Sequence, residues 1–410
     1  MTHGDARLLV ETAPGQTRAL LYKADRVVEA WHDFDHDPDL TGSVHRVRID
    51  RVFGTQNRAT ARLADGTAMS VRISRHDRIA AGDLATITVT ATRREDKPWQ
   101  AVPGARLAGR HIVLLPGQDG IASSSRMTAP PASDVMTQLA EMLEVGPGFG
   151  IILRRDAGTA HDLPAELSGL MAAWTEGAVN GAAAGCVYDG GRFADRLQRD
   201  HPAVPIEHVG PEQAESFAGD WDMMIEACCA AEVPLASGGR LWIETTRALT
   251  AIDLDSGGGD LASLMAEAPS ELAAQLRLRQ TGGLVAVDVP RASKVASARF
   301  DSALDTALAG DPRKPERIGR TRGGLVELRL PHSRAGPRAW AADRVVTGAL
   351  SVLRTASLRP AMARIRIELP PAMAEWLRGP GALALAALDR PVELVVSSQT
   401  STAMLIEGPG

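Results

Sequence analysis

Residues 237–260 read SGGRLWIETTRALTAIDLDSGGGD. A Gly-Gly turn opens into a strand-like run, a polar turn follows, and the second strand, ALTAIDLD, runs into a glycine cluster. This pattern predicts a β-hairpin. Downstream, residues 263–280 (SLMAEAPSELAAQLRLRQ) carry apolar residues at helical spacing, and 282–290 (GGLVAVDVP) form a continuously apolar strand ending in an acid. A second helical pattern covers 293–310, and the basic segment 311–330 (DPRKPERIGRTRGGLVELRL) completes the unit. Alternation of strands and helices with buried-looking strands makes this region α/β.

Two of these strands deliver an aspartate at the C-terminal end: Asp253, with Asp255 two residues on, and Asp288. If the strands are neighbours, their carboxylates face one hard cation. Magnesium suits such a site, because it takes few protein carboxylates, keeps its waters, and polarises a phosphoryl oxygen while activating a bound water. The plainer alternative is that Asp253 caps the glycine turn and Asp288 precedes Pro290 in an ordinary loop.

Working outward, residues 42–107 change to short β-branched segments with the hairpin dipeptide Asp65-Gly66 between two of them. Five short strands in about seventy residues predict an OB-type barrel, a fold whose surface commonly binds single-stranded nucleic acid. The barrel is also basic. Ser43 to Arg110 holds thirteen Arg and Lys against six Asp and Glu, a balance of +7 in a chain of net charge -5, so the remainder carries -12. That is the footprint of a localised phosphate-contact surface, although an Arg-rich face is also simply soluble.

Before the barrel, strands are expected at Arg7–Thr12 and Thr17–Lys23, and the acidic stretch HDFDHDPD (32–39) as a solvated loop. After it come a strand in RHIVLLPG, a polar loop over 117–133, a helix from SDVMTQLAEMLE with Ser133 as N-cap, and a strand in GFGIILRRDAG. Helical spacing covers Ala165–Asp200 and Glu212–Ala231, with a short strand from Ala203 to Val209 between them. Residues 339–410 alternate helix and strand.

The 410 residues, 44% hydrophobic and 23% charged, exceed one usual domain. No run is apolar enough for a signal peptide or a membrane helix, so a soluble cytoplasmic protein without membrane partners is expected. Three cysteines (Cys186, Cys228, Cys229) without CxxC spacing argue against a disulfide framework or a four-cysteine zinc site.

The runs SGGRLWIETTRALTAIDLDSG, AAQLRLRQTGGLVAVD and IGRTRGGLVEL, in this order and at these separations, resemble the signature core of the ribonuclease E/G family. ARLAGRHIVLLPGQDGIASSSRM resembles the passage from that family's barrel to its phosphate-sensing module. The resemblance implies an α/β multidomain chain. It would comprise a ribonuclease H-like unit in two parts (1–41 and 165–220), the OB-type barrel (42–107), a 5′-sensor module (108–164), a deoxyribonuclease I-like metal-binding unit (221–335) and a small C-terminal α/β domain (336–410). Residue by residue, Asp253 and Asp288 match the magnesium-binding aspartates, Lys97 an RNA-contacting lysine, Arg154 the arginine gripping a 5′-monophosphate, and Arg322 another arginine near that phosphate.

The chain departs from the family at several points. No aromatic residue stands in RATARLADGTAMSVR (58–72), where the family has a base-stacking pair, which implies weaker RNA affinity or the use of Trp99. The family's threonine after the sensor arginine is Arg155, and its asparagine on the metal strand is Asp255. The cysteine pair that links family dimers through zinc is missing before Ala339, so any homo-oligomer is not zinc-linked.

The leading expectation is a magnesium-dependent endoribonuclease of RNA processing or decay, hydrolysing single-stranded RNA to 5′-phosphate and 3′-hydroxyl ends with Asp255 orienting the site. The alternative is a non-catalytic RNA-binding paralogue, suggested by the lost aromatics and by VDVPRA (287–292), where the family usually has a second acid.

Overall fold

A computed structural model describes residues 6–93, 97–125, 127, 129–144, 148–160, 162–179, 183–332, 334–359 and 365–407. The chain divides into two compact units, Asp39–Pro205 and a discontinuous one formed by 1–38 with 206–410.

Within Asp39–Pro205, five strands close on themselves. Val44–Phe53 pairs with Arg58–Arg62, which pairs with Ala68–Arg72, then in parallel with Trp99–Pro103, then Leu84–Ala91, which returns to Val44–Phe53. The chain order around the barrel, 1-2-3-5-4-1, is consistent with an OB-type domain. Alternation fills the interior with Val47, Ile49, Ala61, Met69, Val71, Ile87 and Val89. Gly66 sits at φ +88° in the Asp65-Gly66 turn, a conformation that glycine adopts without strain. The same unit contains a four-stranded sheet (Leu107–Ala108, Ile112–Pro116, Phe149–Leu153, Gly120–Ser123), with helices Ser133–Glu144 and Leu163–Val179 contributing to its core.

In the discontinuous unit, Ala6–Ala13, Gln16–Lys23 and Arg26–Phe34 form an antiparallel meander, and Ile206–His208 adds in parallel to Ala6–Ala13. Helix Ala214–Cys229 packs Phe217, Trp221 and Met224 into the cluster that holds Leu9, Leu20 and Ala30. The C-terminal segment builds its own core around helix Arg344–Ser357 and the strands Val392–Val396, Ile365–Leu369 and Met404–Glu407.

A six-stranded sheet runs Glu232–Pro234, Arg240–Thr245, Thr250–Asp255, Gly283–Asp288, Val326–Leu330, Glu316–Arg320 in spatial order. Both expected helices are present. Leu261–Leu278, capped by Asp260, joins the two parallel strands, and Lys294–Leu308, capped by Ser293, follows them. They pack on one face only, where Ile252, Leu254, Val285 and Val287 meet Leu264, Leu272, Leu276, Phe300 and Leu304.

The structure corrects four local expectations. HDFDHDPD is not all loop, since its first three residues end the strand Arg26–Phe34. His32 packs among Phe34, Trp221 and Trp340, and burial pushes its pKa down to about 3. The polar 117–133 segment contributes the strand Gly120–Ser123, held by its neighbour Phe149–Leu153 rather than by its own propensity. Ser133 is the first helical residue and not the cap, as Met136 N–H already donates to the Ala132 carbonyl. Between helices Leu163–Val179 and Phe193–Asp200, the strand Gly185–Tyr188 pairs with the barrel strand Val44–Phe53.

Candidate active site

The open face of the six-stranded sheet carries the acids. In the register, Trp242 opposes Asp253, and Asp253 opposes Asp288 across the parallel pair. Residues opposite one another on adjacent strands share a face and lie about 5 Å apart. Inward Ile252 and Leu254 fix the outward direction of Asp253 and Asp255, and inward Val285 and Val287 do the same for Asp288. All three aspartates are exposed.

Their electrostatics are strained. Partial desolvation at the sheet surface, then the charges of Asp288 and Asp255, hold the Asp253 carboxyl above the usual carboxylate range. Like charges in adjacent register destabilise a sheet unless a cation lies between them. The pair therefore fits magnesium, which needs only one or two carboxylates and keeps water on its remaining positions. Among the described residues no group of three or more His, Cys, Asp and Glu gathers as a metal cage.

Asp255 is committed differently. One oxygen accepts from the Gly257 N–H at 2.9 Å, and the other lies 3.8 Å from Arg240 Nε, while Arg240 Nη1 donates to Glu232 at 2.8 Å. The loops behind it need glycine. A Cβ at Gly239 would meet the Asp255 carbonyl at 2.8 Å, and one at Gly257, which sits at φ +58°, would meet the Gly238 carbonyl at 2.8 Å. Glu267 ties the first loop down by accepting from the Ala236 and Ser237 N–H groups at 2.8 Å each. Farther along the same face, Leu284, Ile318, Arg329, Lys314 and His332 line a groove of about 590 Å³.

Lys97, Arg154 and Arg155 belong to the Asp39–Pro205 unit. Lys97 is exposed two residues before Trp99. Trp99 itself is buried in the barrel core at 4% exposure, which removes it as a stacking platform: the alternation that puts Met69 and Ala101 inside puts Trp99 there too. The outer barrel face carries arginines in cross-strand register instead, Phe53–Arg58–Arg72 in one row and Arg48–Arg62 in another. Like charges so placed cost stability in isolation and suit a polyanion. Arg58 lies over the Phe53 ring at 5.2 Å.

Arg154 is partly buried. Its Nη1 donates to the Gly109 carbonyl at 2.8 Å and its Nη2 lies 3.9 Å from Asp200, with burial holding its pKa below the ordinary value. Arg155 beside it is exposed. Arg322, in the discontinuous unit, is exposed at the tip of the hairpin formed by Glu316–Arg320 and Val326–Leu330. Arg317 and Arg320 anchor that hairpin to Asp305 and Asp301 on helix Lys294–Leu308.

The structure thus gathers Asp253, Asp255 and Asp288 on one face. Sequence reasoning missed Trp242 and the arginine rows. The signal for Trp242 was available in its alternation with Leu241 and Ile243; the rows need the strand register, which sequence alone does not fix.

The model of the ribonuclease E/G family matches residues 218–330, a span that includes the whole six-stranded sheet. Ribonuclease G of Salmonella typhimurium (strain SL1344) is 23% identical to this chain, with 80% of each covered. Ribonuclease G of Escherichia coli (strain K12) is 22% identical with the same coverage. Ribonuclease E of Escherichia coli (strain K12) is 26% identical over 62% of this chain, which spans 28% of that longer protein.

Proposed function

We propose that this chain is an endoribonuclease of the ribonuclease E/G family that hydrolyses single-stranded RNA at Asp253 and Asp288. The observation that carries this reading is the pairing of the two aspartates in register on the open face of the matched sheet. Family likeness supports the reaction class, and the register supports its assignment to these two aspartates.

Asp253 and Asp288 would hold magnesium, which when bound polarises the scissile phosphate and lowers the pKa of an attacking water. Asp253 and Asp288 give up their mutual repulsion on loading, which favours binding of the ion. Asp255, tied to Gly257 and facing Arg240, orients the loop at the strand end. The arginine rows and Lys97 hold the RNA backbone through phosphate contacts that carry no base preference. Products with 5′-phosphate and 3′-hydroxyl ends require that water attack phosphorus in line with the 3′-oxygen, whose bond to phosphorus breaks and which leaves as the 3′-hydroxyl after taking a proton. We further assign 5′-end sensing to Arg154 and Arg155 and a separate phosphate contact to Arg322, and read the meander at Ala6–Phe34 as part of a ribonuclease H-like unit and the six-stranded sheet as the deoxyribonuclease I-like one. The cytoplasm is the compartment we assign. No helix among the described residues is long and apolar enough to cross a membrane.

The test is cleavage of a 5′-monophosphorylated, AU-rich RNA oligonucleotide with and without magnesium, compared with 5′-hydroxyl and 5′-triphosphate versions. Metal-dependent cleavage, fastest on the monophosphate, is expected. Tight RNA binding without cleavage at any magnesium concentration would replace the enzyme by a non-catalytic RNA-binding paralogue.

A further inference from the structure

Trp242 has no part in the reading so far. It stands opposite Asp253 in the register, so Trp242, Asp253 and Asp288 form one row across three strands on the open face. At about 5 Å per strand, the indole is about one strand from Asp253 and about two from Asp288. Trp242 is 39% exposed, and the other six tryptophans, all among the described residues, are buried or half-buried. Inward Leu241 (0%) and Ile243 (4%) leave the strand no alternative orientation for it.

We propose that Trp242 is a substrate-binding residue that stacks on the base of the nucleotide flanking the scissile phosphate. The inference rests on the endoribonuclease reading above. Two facts favour an RNA base as the occupant. Glu244 flanks Trp242 on its own face, and together with the two aspartates it would have to be dehydrated under a protein partner, a cost that only matching cations repay; Glu232 on the neighbouring strand already has Arg240. A hydrated cation with a phosphate meets the same aspartates without that cost. The six strands of the sheet carry one aromatic residue, Trp242, so this indole is the surface there on which an unpaired base finds a face. Bases in a duplex are already stacked on both sides, so the same contact selects single-stranded RNA around the cut.

The experiment compares wild type, Trp242→Ala and Trp242→Phe on a single-stranded RNA oligonucleotide with one cleavage site, and on versions with an abasic nucleotide at either side of that site. Trp242→Ala is expected to raise KM about tenfold, or ~1.4 kcal/mol, with kcat changed less than about twofold. Trp242→Phe should recover most of the loss. An abasic nucleotide on one side should weaken wild type by a similar factor and leave Trp242→Ala unaffected. As a readout independent of cleavage, RNA added without magnesium should quench the tryptophan fluorescence of wild type and not of Trp242→Phe. Unchanged KM in Trp242→Ala, with cleavage intact, overturns the stacking assignment and leaves the endoribonuclease reading standing. Absence of both cleavage and RNA binding in wild type removes both.

Discussion

Two sets of carboxylates in the same unit have opposite surroundings. On the N-terminal meander, Glu11 and Glu29 are 6% and 5% exposed, and each is held by two arginines. Arg18 and Arg354 donate to Glu11, the latter at 2.7 Å, while Arg277 and Arg334 donate to Glu29 at 2.7 Å each. On the six-stranded sheet, Asp253 and Asp288 are exposed and face each other. The first set is saturated within the fold and has nothing left to offer a ligand. The second has like charges for neighbours, which hold the Asp253 carboxyl above the usual range. A carboxylate's neighbours, more than its presence on a strand, decide whether it supports the fold or the chemistry.

The contrast is broken most severely at Glu29. Glu29→Gln leaves Arg277 and Arg334 facing a neutral group at a half-closed interior, and loss of one partner of a buried pair costs ~3–5 kcal/mol. Chemical denaturation should show a fall of that size; a loss under 1 kcal/mol would mean that the arginines are solvated and the contrast is false.

Asp253→Asn is expected to do the reverse, lowering cleavage at least ~100-fold through lost charge stabilisation without lowering the melting temperature. The pH dependence gives the sign. The folded-state pKa of Asp253 lies above its unfolded value, so the charged carboxylate opposes folding at neutral pH and that penalty fades as pH falls through the folded pKa. The variant should therefore melt slightly higher than wild type near pH 7 and no higher under acid conditions. Full activity in the variant removes Asp253 from the site.

Arg240→Gln sharpens the contrast at the edge of the open face. It removes the cation nearest Asp255, so magnesium should activate at a severalfold lower concentration while stability changes by no more than ~1 kcal/mol, the usual worth of an exposed pair. A higher activating concentration would show that Arg240 shapes the site instead of opposing the metal. The smallest effect is expected at Lys97, a solvated cation unlike Arg277. Lys97→Ala should make the logarithmic salt dependence of RNA binding shallower by about one phosphate contact, with no change in melting temperature. An unaltered slope places the RNA path elsewhere.

The barrel and the Asp253 hairpin were legible because their signals are local: β-branched alternation, Asp65-Gly66 and the glycine clusters. Asp253 and Asp288 could be singled out because an acid at the end of an apolar strand is conspicuous. Other features depend on distant partners. The strand through His32 and Phe34 is polar and acidic, and only pairing with Gln16–Lys23 makes it a strand. Trp99 is the first residue of its strand, so its face was undetermined until the parallel pairing with Met69 set it. Glu11 looks like any strand acid, and its partner Arg354 is 343 positions away.

That separation has a consequence for how the protein is made. The Asp39–Pro205 unit is one unbroken stretch and is free to fold as soon as it leaves the ribosome. The meander is not so placed. At ~5–20 residues per second, Glu11 emerges roughly 17 to 70 s before Arg354 is synthesised, and Glu29 likewise precedes Arg277 and Arg334. During that interval Glu11 has Arg18 across the strand pair but not Arg354, and Glu29 has neither of its arginines, so both acids lack the full set of cations that neutralises them on burial. Strand Ala6–Ala13 is thus fixed in place late, and the final turns of helix Arg344–Ser357 complete its surroundings.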